Sequence, residues 1–172
     1  GAQGLHLGVR STPDSGPVNT LSQGHWGNDS DGTTIILANT WYHTTFTYDS
    51  ATDMQTIYLN GVQESQTVKA GPNNTSTNLI LGGRNGGRVD DLAIWDSVIS
   101  PADIASIAGG TAANTLGAQA YWDFEDNQAG MTAAQSGIGG LGAASLTGIV
   151  PEPSSLALLL LGSAGFFRRK RA

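Results

Sequence analysis

The chain of 172 residues contains no cysteine, which excludes disulfide bonds and metal sites built from thiolates. Charged residues make up only 13% of it and aromatic residues 7%. Before Arg168 it holds 4 basic and 14 acidic residues, so this body carries a formal net charge of −10. Such acidity argues against nucleic acid as a partner, because phosphate binding needs a basic surface. The chain begins at Gly1 without an initiator methionine or a secretory signal, which indicates a fragment whose beginning is missing.

Turn-forming residues are abundant, with 24 glycines among many threonines and asparagines. Few charges, many turn formers and short apolar runs favour an all-β fold over a helical one. The length leaves room for one domain and a partial second domain. From β-branched and aromatic content we predict strands at residues 5–9, 33–37, 39–48, 55–59, 62–68, 78–81 and 89–95.

Two local sequence patterns predict a hairpin and a helix. Asn60-Gly61 lies between two predicted strands and favours a type I′ turn, in which both central residues need positive φ. Ser100 precedes Pro101 and is followed by Asp103, the pattern of a capped helix start, and two glycines end this helix. Closely spaced strands with one brief helix after the last clear strand are typical of a sandwich or jelly roll.

Four motifs, in order along the chain, resemble a laminin G-like, concanavalin A-type jelly roll. They are Trp41-Tyr42-His43, Tyr58-Leu59-Asn60-Gly61, Leu81-Gly82-Gly83 and the closing run at residues 89–104. The resemblance covers roughly residues 4–108. It implies an all-β sandwich that is truncated at its N-terminus, because the opening strands of that fold should precede Gly1. The resemblance also implies that many related domains bind calcium and that related lectins bind sugars through their loops.

Residues 120–125 alternate in polarity like a further strand, and two explanations are open. They begin a second, truncated repeat, or they fill an edge of this sheet, since the first and last strands of such a fold are neighbours. We favour the second, because an unpaired edge loses hydrogen bonds and invites aggregation. The predicted organisation is a partial jelly roll at 1–110, an extra strand and Gly/Ala-rich linker at 111–148, and a C-terminal segment at 149–172.

The C-terminal segment has three parts: Pro-Glu-Pro, an uncharged run at 154–167 and a basic end. As a helix this run would span about 21 Å, short of the roughly 30 Å hydrocarbon core, so on length alone it could be a buried core helix. The basic end argues for a membrane segment instead, because the positive-inside rule keeps such a cluster in the cytoplasm.

The three parts resemble the PEP-CTERM sorting signal of Gram-negative bacteria. The residues that carry the resemblance are Pro151, Glu152, Pro153, Arg168, Arg169, Lys170 and Arg171. It implies export of the body, transient retention in the inner membrane by the apolar helix, and processing near Pro-Glu-Pro by an exosortase. The mature protein would then be released to, or attached at, the cell surface or the extracellular matrix.

Asp29 and Asp31 are the candidate metal ligands, in a predicted loop at residues 28–32. Without cysteine a site here needs hard oxygen ligands, which suit Ca²⁺. The alternative is an Asx turn that needs no ion, and we favour it.

Asp90 and Asp91 should point to opposite faces of one strand. Asp90 then shares the inner face with Ile94, and a buried carboxylate requires partners. We expect backbone N–H groups of the preceding glycine-rich loop, or Arg84 or Arg88, to hold it in a structural role.

Catalysis has weak support in the sequence. Asp123 and Glu125 share one strand face, and a retaining glycosidase needs two carboxyl groups about 5–5.5 Å apart. The longer acidic triplet of related β-glucanases is missing, so we predict a solvated polar face and no enzyme. His43 has no evident serine or aspartate partner and is expected to be a core or edge histidine beside Trp41.

The sequence therefore predicts an exported surface or matrix module that binds carbohydrate. The candidate ligand residues are Asn73, Asn74, Arg84 and Asn85, and the candidate partners are a polysaccharide or a matrix protein. A structural or adhesive protein without a small-ligand site is the main alternative, and a glycoside hydrolase is a remote one.

Overall fold

The computed structural model describes residues 5–13, 16–24, 27–69, 87–124, 133–134 and 144–145. Short strands dominate, and one helix and one 3₁₀ turn follow the seventh strand. In chain order the elements are β1 His6–Val9, β2 Leu21–Gly24, β3 Ser30–Asp31, β4 Thr44–Asp49, β5 Met54–Leu59, β6 Val62–Val68, β7 Leu92–Ile94, α1 Pro101–Ala108, the 3₁₀ turn Ala113–Leu116, β8 Ala120–Trp122, β9 Ala133–Ala134 and β10 Ala144–Ser145.

Two antiparallel three-stranded sheets, β1-β2-β3 and β4-β5-β6, lie against each other as a sandwich. Polar side chains join them. Gln23 donates from Nε2 to the carbonyl of Thr47 at 3.0 Å, and Ser30 donates from Oγ to Oε1 of Gln55 at 2.8 Å. The fold is mostly β-sheet with little helix, as the sequence predicted.

The second sheet follows from local sequence signals. Phe46 pairs with Ile57, which is fully buried. The β5–β6 hairpin turns through Asn60 at φ 50° and Gly61 at φ 80°. Positive φ at both residues matches a type I′ turn, so the predicted hairpin is confirmed.

Helix α1 packs against this hairpin. Ser100 caps it, because its Oγ accepts the N–H of Asp103 at 3.1 Å, and Gly109 is its C-cap. Ile104 is fully buried, and a Cβ built on Gly61 would lie 3.0 Å from the Cα of Ala105. The predicted helix start is therefore confirmed, and the turn of the hairpin packs directly on the helix.

Strand β8 pairs with β7, with Leu92 opposite Trp122 and Ile94 opposite Ala120. Trp122 is 4% exposed and Ala120 is fully buried, so these residues form a small apolar cluster. Within the described residues, β7 and β8 form a two-stranded sheet of their own and are not hydrogen-bonded to either three-stranded sheet, so the prediction that residues 120–125 fill an edge of the main sheet stays a prediction.

Three strand predictions are corrected by the structure. Residues 33–37 form no strand, the strand predicted at 39–48 begins only at Thr44, and β2 was not predicted. The strand predicted at 89–95 shrinks to Leu92–Ile94 because Asp91 adopts φ 49°, outside the β region. The strand predicted at 78–81 lies outside the described residues.

The apolar run at 154–167, predicted as a helix, also lies outside the described residues. Within the part of the chain that is described, no helix has the length and apolar character to cross a membrane.

Candidate functional site

A polar cluster lies on the face of the first sheet that points away from the second sheet. Arg10, directly after β1, is its centre, and Ser22, Asp29 and Asp31 surround it; we call these four residues the Arg10 cluster. Ser22 and Asp31 are Cα partners in neighbouring strands. Since successive side chains in a strand alternate between faces, they point opposite to Gln23, which contacts the second sheet.

Arg10 binds both carboxylates at once. Its Nε and Nη2 donate to Oδ1 of Asp31 at 2.9 and 2.8 Å, and Nη2 also donates to Oδ2 of Asp29 at 2.8 Å. Nη2 lies 2.9 Å from Oγ of Ser22 as well. The side chains of Arg10, Asp29 and Asp31 are 8%, 12% and 18% exposed, so these charges are largely removed from water.

The electrostatics of the cluster favour the charged arginine. Burial alone lowers the pKa of Arg10, but the hydrogen bonds and negative charges of Asp29 and Asp31 outweigh it and raise that pKa above its usual value. His6 lies beside the cluster, with Nε2 3.2 Å from Oδ1 of Asp29, an ion pair when the imidazole is protonated.

The expectation for residues 28–32 is corrected in its geometry. Ser30 and Asp31 belong to β3 instead of a loop, and Asp29 and Asp31 direct carboxylate oxygens at Arg10. Among the described residues, no group of three or more His, Asp or Glu side chains is arranged to hold a metal ion. The structure brings the two sequence-predicted ligands together, but around a guanidinium.

Sequence reasoning missed Arg10 as their partner. It lies 19 residues from Asp29 and 21 from Asp31, so no local pattern joins them. The one available signal was compositional, because Arg10 is one of only four basic residues before Arg168.

A second candidate region surrounds Trp41, whose side chain is 62% exposed. The backbone N–H of His43 donates to Oδ1 of Asn60 at 3.0 Å, and the N–H of Asn60 donates to the carbonyl of His43 at 2.7 Å. These bonds fix the residues after Trp41 to the hairpin turn. His43 is half-buried, as expected of a histidine at the core or edge beside Trp41, and burial lowers its pKa.

The segment at residues 33–43 is held in place although it is not a strand. Oε1 of Glu64 accepts the N–H groups of Thr33 and Thr34. Tyr42 accepts the N–H of Leu37 on its hydroxyl at 3.2 Å. Leu37 is 61% exposed, and no Asp, Glu, Lys or Arg occurs from Gly32 to Tyr48. The result is a fixed segment with an exposed aromatic ring and no Asp, Glu, Lys or Arg side chain of its own.

The predicted burial of Asp90 is wrong. Both Asp90 and Asp91 are exposed, because the strand begins only at Leu92 and its alternation does not extend to them. Tyr121 donates its hydroxyl to Oδ1 of Asp91, and this bond raises the pKa of Tyr121. Asp123 is also exposed, consistent with a solvated polar face.

Several predicted residues lie outside the described part of the chain. These are the candidate ligand residues Asn73, Asn74, Arg84 and Asn85, the acidic Glu125, and the sorting residues Pro151, Glu152, Pro153, Arg168, Arg169, Lys170 and Arg171.

Comparison with protein families decides the fold family. The family model described as the concanavalin A-like lectin/glucanases superfamily matches residues 1–105, more than half of the chain. The chain belongs to this superfamily. The resemblance drawn from the four motifs is therefore confirmed, and the sandwich of the two three-stranded sheets agrees with it.

A second family model, the PEP-CTERM protein-sorting motif, matches residues 150–171 of this superfamily member. The match confirms the predicted sorting signal. The motif implies export through a membrane-anchored intermediate and processing by an exosortase. Comparisons with curated proteins and with solved structures gave no match.

Proposed function

We propose that this superfamily member is a carbohydrate-binding module at the cell surface or in the extracellular matrix. One observation carries the proposal: a concanavalin A-like lectin/glucanase domain at residues 1–105 is followed by a PEP-CTERM motif at 150–171. The domain has a fold that lectins use, and the motif directs the protein to export. The mature protein is then either attached at the surface or released into the matrix.

The surface around Trp41 supports a sugar as the ligand class. An exposed tryptophan offers a flat apolar ring with a polar N–H, which suits the apolar face and the hydroxyl groups of a sugar. Asn39 and Thr40 precede it and add an amide and a hydroxyl. Asn73, Asn74, Arg84 and Asn85 stay in the proposal as further ligand residues.

A glycan array tests the carbohydrate proposal. The parent should bind one or more glycans above background, and Trp41→Ala should lose at least part of that signal. Val68→Ala is the matched control, because Val68 is 63% exposed and lies at the end of β6 far from the hairpin turn that holds the Trp41 region. A parent that binds no glycan while still adhering to cells or matrix favours the structural or adhesive alternative.

Deletion of residues 151–172 tests the sorting part of the proposal. The truncated protein should stay unprocessed and appear in the medium or the periplasm, without transient retention in the inner membrane. A variant with alanine in place of Arg168, Arg169, Lys170 and Arg171 should also be processed more slowly than the parent. Unchanged processing and location in the deletion would refute the sorting role.

The proposed module is not an enzyme. Asp29 and Asp31 share one guanidinium, whereas a glycosidase needs one carboxyl group that is protonated to act as an acid. Asp123 is exposed. A hydrolysis assay on β-glucans tests the remote alternative, and release of reducing ends that depends on Asp123 would overturn this part of the proposal.

A further inference from the structure

We infer that Arg10 is an internal counter-ion that takes the place of a bound cation, so that this fold needs no calcium at Asp29 and Asp31. The inference rests on the geometry of the Arg10 cluster and is independent of the proposed function.

The two carboxylates require a cation. Asp29 lies directly before β3 and Asp31 lies in β3, with side chains only 12% and 18% exposed, so water screens their mutual repulsion poorly. A planar guanidinium is suited to this task, because its fork of donors can meet carboxylate oxygens from two residues. Nη2 of Arg10 lies 2.8 Å from an oxygen of each.

The same geometry leaves a divalent ion no comparable position. Calcium takes 6–8 oxygen ligands at about 2.3–2.6 Å. The oxygens Oδ2 of Asp29 and Oδ1 of Asp31 are already bonded to one nitrogen, and an ion between them would face the positive charge of Arg10. Backbone also packs closely here, since a Cβ on Gly24 would lie 2.6 Å from the Cα of Asp29.

Removing Arg10 should therefore create a calcium response that we do not expect in the parent. In Arg10→Gln the two carboxylates lose their counter-ion while a polar side chain remains. A weak site of two carboxylates and nearby carbonyl groups would have a Kd of about 10⁻⁴–10⁻³ M, as in extracellular modules. At ten times that Kd, calcium would shift the folding equilibrium of the variant about 11-fold.

The experiment is thermal unfolding by circular dichroism in about 5 mM calcium chloride, in EDTA, and in sodium chloride of equal ionic strength. We expect the parent and Arg10→Lys to melt at the same temperature in calcium and in sodium chloride. Arg10→Gln should melt lower in EDTA and rise only with calcium. The variant Arg10→Gln/Asp29→Asn/Asp31→Asn is the matched control and should not respond to calcium.

Two outcomes would overturn the inference. One is a calcium shift in the parent that Asp29→Asn/Asp31→Asn abolishes, because the carboxylates would then hold an ion beside Arg10. The other is a folded Arg10→Gln variant without a calcium response. If Arg10→Gln is unfolded in EDTA, recovery of the β-sheet signal on calcium titration supports the inference, and no recovery contradicts it.

Discussion

The two sheets of the sandwich are stabilised in different ways. The second sheet, β4-β5-β6, is a meander whose hairpin is set by two adjacent residues, Asn60 and Gly61. The first sheet, β1-β2-β3, has strands of four, four and two residues, and Arg10 ties them together through contacts 12 to 21 residues away in sequence. The second sheet thus depends on backbone geometry, and the first on a nearly buried charge.

The difference predicts unequal responses to single substitutions. A change at a turn residue costs its own backbone strain and its local contacts, because the rest of the ladder remains paired. Loss of one partner in a buried ion cluster leaves the other charges without compensation. The largest effects should therefore occur in the first sheet, although it is the less regular one.

Arg10→Gln should give the largest loss of stability. Breaking a buried ion pair by removing one partner costs about 3–5 kcal/mol, because the remaining charge stays buried and uncompensated. Urea unfolding in EDTA measures this loss. Arg88→Gln is the matched control, since Arg88 is exposed and its replacement should change stability by less than about 0.5 kcal/mol. Equal losses in both variants would contradict the assigned difference between the sheets.

Gly61→Ala should rank second and tests the turn of the second sheet. Alanine at φ 80° is strained, and its Cβ would lie 3.0 Å from both the Cα of Ala105 and the Cβ of Ala108, so we expect a loss of about 2–3 kcal/mol. Gly117→Ala separates the two causes. Gly117 has φ 76° and nothing within 4 Å of its Cβ position, so strain alone should cost about 1 kcal/mol. If Gly61→Ala loses no more stability than Gly117→Ala, the contact with α1 adds nothing to the cost of the substitution.

Ser100→Ala should have a smaller effect and tests the helix on which that turn packs. Loss of the bond from the Asp103 N–H to the Ser100 Oγ should cost about 1 kcal/mol. Ser106→Ala is the control, because the Ser106 hydroxyl bonds only back to the Ala102 carbonyl within the exposed helix face. Thermal melts of both variants compare the cap with an ordinary helical serine. A larger loss in Ser106→Ala would argue against the cap.

The β5–β6 hairpin of the second sheet could be predicted because its signals are local. β6 begins and ends where the sequence indicated, and the Asn60-Gly61 turn and the Ser100 cap each depend on residues within three positions. The first sheet could not be predicted in the same way. In β2 all four residues are buried, including Ser22 and Gln23, so no alternation of apolar and polar residues marks the strand.

The candidate site shows the same limit. Asp29 and Asp31 could be singled out as a pair of oxygen ligands, but what they bind depends on a residue brought close by the pairing of β1 with β2. Asp90 was misplaced because alternation was extended back to it, two residues before the true start of β7 at Leu92. Family resemblance supplied the fold and the sorting signal, since those motifs are contiguous in sequence.

The smallest predicted effect concerns His43, the half-buried imidazole at the edge of the second sheet. Burial lowers its pKa below the usual 6.5, so the folded state binds this proton less readily than the unfolded state does. His43 thus contributes stability above the unfolded pKa, and this contribution is lost as the pH falls below 6.5 towards the folded pKa. The direct measurement is an NMR titration of the His43 ring protons in the folded protein and in urea. We expect a lower midpoint in the folded protein, and His43→Gln should flatten the fall in unfolding free energy over this pH range. A folded midpoint at or above the urea value would show that the second sheet accepts a charge at its edge, which would remove this contrast with the Arg10 cluster.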